Sequence, residues 1–66
     1  MPDNYPHRLE IHWVDKPAVQ RFVDEYKEGR CVVIEEAGVM FVDCREAFDA
    51  ADLRIAFPRS RRVTGR

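Results

Sequence analysis

Two cysteines, three glycines and no apolar run of membrane length narrow this 66-residue chain more than its abundant residues do. Cys31 and Cys44 are too few for a disulfide-stapled secreted scaffold and stand in no C-x-x-C spacing, so reduced thiols are expected. The glycines form no nucleotide-binding motif, and the scattered carboxylates form no acid–base pair. Without a stretch of about 18 apolar residues, nothing is expected to span a membrane. The opening MPDNYPHR lacks the basic-then-apolar pattern of a secretory signal, which leads us to expect a cytoplasmic protein. Lysine is also scarce: only Lys16 and Lys27 accompany nine arginines.

What is present is a globular composition, 45% hydrophobic and 35% charged, in a chain long enough for one domain. So small a chain buries only about 60% of its unfolded surface, so a partner would help its stability. The net charge of -1 conceals an asymmetry. Residues 1–53 carry six basic and twelve acidic side chains, whereas residues 54–66 carry five arginines and no acid.

Periodicity supplies the elements. Residues 1–7, with Pro2 and Pro6, read as a flexible lead-in, followed by a domain over 8–58. Leu9, Ile11 and Trp13 alternate with polar neighbours and predict a half-buried strand over 8–14. Asp15 and Pro17 then mark a helix start, Ala18, Val19, Phe22, Val23 and Tyr26 form one helical stripe, and Gly29 stands at the expected stop. From Arg30 to Cys44 the chain reads as a β-hairpin around Ala37-Gly38. A two-residue loop would pair Glu36 with Val39 and bring Cys31 opposite Cys44, whereas a three-residue bulged loop would separate the thiols. Ala37 is a poor first residue for a type I′ turn, which keeps the bulged form open.

The segment REAFDAAD predicts two turns of helix, Leu53–Phe57 alternates like a strand ended by Pro58, and RSRRVTGR (59–66) reads as a disordered basic tail. The fold class is therefore α+β. The order is β-α-β-β-α-β, ferredoxin-like, with strand order 4-1-3-2 and helices on one face. The alternative is a β-α-β-β-β sheet with one main helix.

Four groups are candidate sites. In the paired-cysteine register, Ile34 and Phe41 are expected under the helices, leaving Val33, Met40 and Val42 on an open, apolar sheet face suited to association, including homodimerisation. Glu35, Glu36, Asp43, Glu46 and Asp49 suggest an acidic surface that meets a larger, basic protein partner, one that handles nucleic acid, although such charge also serves simply as solvation. Arg54, Arg59, Arg61 and Arg62 suit phosphate through bidentate hydrogen bonds and counterion release, or else contact the acidic body of the same chain. Cys31, Cys44 and His12, with His7, are chemically able ligands for zinc, but their scattered spacing favours inert buried thiols. The expected function is a small non-enzymatic, cofactor-free interaction protein, an inhibitor or adaptor acting through its acidic face and sheet. The alternative is a dimeric nucleic-acid-binding regulator using the arginine tail.

Overall fold

A computed structural model describes residues 5–63. The readings for 1–4 and 64–66 fall outside the described residues. The chain is α+β: a four-stranded antiparallel sheet and two α-helices, in the order β1 (His7–Ile11), a 3-10 turn (Trp13–Asp15), α1 (Lys16–Tyr26), β2 (Cys31–Glu36), β3 (Val39–Cys44), α2 (Ala47–Ala56) and β4 (Arg61–Val63). Strands lie in the order β2-β3-β1-β4, which is the expected 4-1-3-2 order read from the other edge.

The hairpin takes the two-residue loop. Glu36 faces Val39 and Cys31 faces Cys44, with Val33 opposite Val42 and Ile34 opposite Phe41. The turn is of the I′ kind, with φ of 53° at Ala37 and 81° at Gly38. Alanine therefore occupies a left-handed conformation that costs an L-residue roughly 1–2 kcal/mol, and pairing along both six-residue strands offsets it.

The helix-facing side of the sheet differs from expectation. Leu9 and Ile11 of β1, Met40, Val42 and Cys44 of β3 and Cys31 of β2 are buried together with Val19 and Val23 of α1 and Ala50 and Leu53 of α2. Val33 packs partly against this core. The helices thus cover the face carrying Cys31, Val33, Met40 and Val42, while Ile34 and Phe41 lie on the other. β1 decides between the two faces: it places Leu9 opposite Val42 and Ile11 opposite Met40, so its two fully apolar positions extend the Val33–Val42 row.

Three further boundaries move. The first strand stops at Ile11; His12 accepts a hydrogen bond from the Val14 N–H at 3.2 Å and the chain turns away, leaving Trp13 72% exposed rather than in the core. The segment predicted as a strand, Leu53–Phe57, instead continues α2, ending where the Phe57 N–H donates to the Leu53 carbonyl at 2.8 Å, just before Pro58. Alanines at 47, 50, 51 and 56 favour helix, and Asp49, Ala50 and Leu53 bury together at i, i+1, i+4 spacing. The fourth strand comes from the expected tail, Arg61 pairing with Glu10 and Val63 with Arg8, so the fold extends to Val63, beyond the expected boundary at residue 58.

Because Ala37 is strained in the turn, Ala37→Asn should raise stability by about 0.5–1 kcal/mol, with the slope of a urea titration unchanged. An unchanged or lowered midpoint would show that the turn is not of this type.

Candidate interaction surface

The acidic residues do not form one surface. Asp49 is fully buried on α2, where Lys27 Nζ donates to its Oδ1 at 2.8 Å and to Asp52 Oδ2 at 2.9 Å, while Arg30 Nη2 stands 3.5 Å from the same Oδ1. Asp49 is therefore corrected from a partner-binding residue to a core residue: its burial follows from facing the sheet with Ala50 and Leu53. Asp43 accepts both ends of the Arg8 guanidinium fork, at 2.7 and 3.0 Å. Glu35 meets Lys16 at 2.9 Å. Of the five acids, Glu36 and Glu46 are exposed and lie in no ion pair among the described residues.

The buried pair governs the electrostatics beneath the helices. Hydrogen bonds to Asp49 and then Asp52 push the Lys27 ammonium above its ordinary pKa, against the opposing effect of burial. Lysine at this position lay outside the apolar stripe of α1, and only the companion Asp49 three residues into α2 could have signalled that the two meet. The second carboxylate oxygen of Asp49 has no hydrogen-bond partner among the described residues. A carboxylate so placed depends on Lys27 for its stability.

Next to this network, Cys31 Sγ lies 2.9 Å from Cys44 Sγ, and both thiols are free and buried. Counted from the turn-closing pair Glu36–Val39, this is a non-hydrogen-bonded pair, where facing side chains come closest. Burial pushes both thiols above their ordinary pKa, the more strongly for Cys44. A nucleophilic cysteine needs the opposite shift. His12 sits on the 3-10 turn, whereas His7 stands opposite Cys44 and accepts from Arg62 Nη2 at 2.7 Å. No group of three or more His, Cys, Asp or Glu among the described residues is placed to hold a metal ion.

The arginines turn back onto the domain. Arg59 meets Asp15 at 3.1 Å, Arg61 meets Glu10 at 3.7 Å and Arg62 meets His7. Arg54 remains exposed on α2 and lies in no ion pair among the described residues.

An open sheet face does exist, with different residues from those expected. Val33, Met40 and Val42 are under the helices, Val42 fully buried and Met40 5% exposed, so they form no association surface. The opposite face alternates with them and carries Val32 and Ile34 from β2 and Val39 and Phe41 from β3. Val32 is 39% exposed and the other three are half-buried. Arg8, held by Asp43, stacks over the Phe41 ring at 4.8 Å, and Glu10 stands directly opposite Phe41, so the apolar half borders a charged half bearing Arg8, Glu10 and Arg61. Among the described residues β2 is also an edge strand, paired only with β3. Its outer backbone groups at Val33 and Glu35 face away from β3, where a further strand can pair, while the Cys31 N–H is taken by the Lys27 carbonyl at 3.0 Å.

No family model, curated protein or solved structure matches the chain. No helix among the described residues is long and apolar enough to cross a membrane.

Lys27→Met should cost about 3–5 kcal/mol, because it strands a buried carboxylate, while adding Asp49→Leu should restore most of that loss; denaturant titration of both variants checks this. The alkaline limb follows from the raised pKa values. A raised folded pKa means stability that is complete below the unfolded pKa and is lost as pH rises toward the folded one. Stability should therefore fall above about pH 9, the ordinary thiol value, and Cys31→Ala/Cys44→Ala should move the onset toward the ordinary lysine value of 10.5. Thermal melts from pH 8 to 11 measure both onsets.

Proposed function

We propose that the chain is a ferredoxin-like, non-enzymatic interaction module that occupies a surface of a larger protein with the open face of its sheet. The observation that carries this reading is the contiguous apolar half-face of Val32, Ile34, Val39 and Phe41 beside the unpaired edge of β2. Strand order and the two helices on the other face support the ferredoxin-like assignment.

The chemistry of the face describes the partner. Its centre is aliphatic and aromatic, and its rim carries Glu36, the Arg8–Asp43 fork and the Glu10–Arg61 pair. Such a surface suits an extended protein segment that adds alongside β2, turns alternate apolar side chains toward Val32 and Ile34, and offers a basic group to Glu36. The acidic contribution is thus concentrated at the hairpin turn. An inhibitor or adaptor works in this way, by filling a surface that its partner uses for something else. The alternative of nucleic-acid binding through the arginines draws less support, because Arg59, Arg61 and Arg62 are held by groups of the domain itself.

Photo-crosslinking in the host cell tests the reading. A photoreactive residue at position 34 should give a discrete protein adduct that the same group at position 21, exposed on α1, does not. Ile34→Asp should remove the partner with little change in melting temperature. Equal adducts from both positions, or partner capture unaffected by Ile34→Asp, would overturn it.

A further inference from the structure

The two native thiols stand where a disulfide needs them. Cys31 opens β2 and Cys44 closes β3, and they face each other at the end of the hairpin away from its turn. A non-hydrogen-bonded antiparallel pair has a Cα separation of about 4.5 Å, inside the range of roughly 4.4–6.8 Å that a disulfide spans. Their Sγ atoms lie 2.9 Å apart, both free and both buried on the helix-facing side of the sheet. The backbone therefore already holds the spacing of the bonded pair. The raised pKa of both thiols slows attack on an outside reagent. It does not set the equilibrium, which depends on how closely the fold holds the two sulfurs together.

We propose that Cys31 and Cys44 are a redox pair that closes to a reversible intrachain disulfide by exchange with a small-molecule disulfide. The Cys31 thiolate attacks one sulfur of the reagent and forms a mixed disulfide; the reagent S–S bond breaks, and the released thiolate takes up the proton that Cys31 gave up. Cys44 then loses its proton and attacks the Cys31 sulfur, and the second reagent thiolate leaves and takes that proton. Two protein thiols are oxidised and one reagent disulfide is reduced to two thiols. The order follows from the surroundings. Cys31 keeps 5% of its surface at the start of an edge strand, where fraying exposes it, and the charges of Lys27 and Arg30 favour its thiolate. Cys44 is fully buried, and Asp49 and Asp43 both oppose its ionisation, so it acts second, on a sulfur already beside it. The new bond closes the loop from 31 to 44 at the end opposite Ala37-Gly38, leaving Val32, Ile34, Val39 and Phe41 between the bond and the turn. Oxidation thus fixes β2 to β3 without altering a side chain of the open face. The inference rests on the thiol pair alone and is independent of what that face binds.

Equilibration of the full chain in glutathione buffers of graded ratio, with and without urea, tests it. Acid quenching, alkylation of the remaining thiols and intact mass read the fraction closed. The native chain should be half-oxidised at a ratio of oxidised glutathione to the square of reduced glutathione at least about tenfold lower than the urea-unfolded chain requires. The product should run as a monomer on a non-reducing gel, and the oxidised chain should melt at least about 5 °C above the reduced one. Oxidation no easier in the native chain than in urea, a melting temperature no higher after oxidation, or bonds between copies in place of the internal one would each overturn the proposal.

Discussion

The ammonium of Lys27 is the point on which the helical layer depends. It leaves the last turn of α1, passes between the helices and ends on two carboxylates of α2, one of them fully buried. Aromatic contact between Phe22 and Phe57, with ring centroids 5.6 Å apart, makes a second link at the other end of α2. In a domain with so small a core, such links fix how the two helices sit relative to one another. That in turn decides which side of α2 meets the sheet and which side is left to solvent.

The hairpin shows what alternation encodes and what it leaves open. A two-residue turn and the period of two put Cys31 opposite Cys44, whereas a bulged loop, equally open from the sequence, would have separated them; the structure takes the shorter turn. Choosing a face is a different question. Val33 and Val42 are as apolar as Ile34 and Phe41, and nothing within the hairpin distinguishes them. The distinction comes from β1, whose Leu9 and Ile11 align with Val42 and Met40, and from Arg8, whose position opposite Asp43 demands a solvated face. Long-range pairing of this kind is not legible in one sequence read locally. The existence of an apolar open face was legible; its membership was inverted.

The C-terminal third was the least legible for a related reason. Five residues from Leu53 to Phe57 fit a strand period and a helical one equally well, and the choice rests on Asp49 finding Lys27, far away in the chain. Arginines in 59–62 looked unattached because their partners, Asp15, Glu10 and His7, precede them by more than forty residues. Of the acidic residues, Asp49 and Asp43 each had a cation assigned by the fold, so counting carboxylates overstated the acidic surface. α1 was legible in its position and stripe, which are local signals, but Asp15 at its N-cap makes no side-chain capping bond and meets Arg59 instead, and the C-cap is Lys27, with Gly29 in the turn beyond; Tyr26 alone among its large apolar residues turned outward, and Lys27 inward.

β4 has a consequence for how the molecule opens. It is three residues long, sits at one edge of the sheet, and is held to β1 largely by polar side chains, whereas β2 at the other edge pairs along six residues and carries core side chains. Cooperative stability therefore runs as a gradient across the sheet. Local fluctuations that release residues 61–63 involve little apolar surface and lie at the low-energy end of the native ensemble. Each such event turns β1 briefly into an edge strand, with Leu9 and Ile11 still under the helices. One edge of the sheet is thus fixed at β2, while the other lies at β4 and steps inward to β1 when β4 opens.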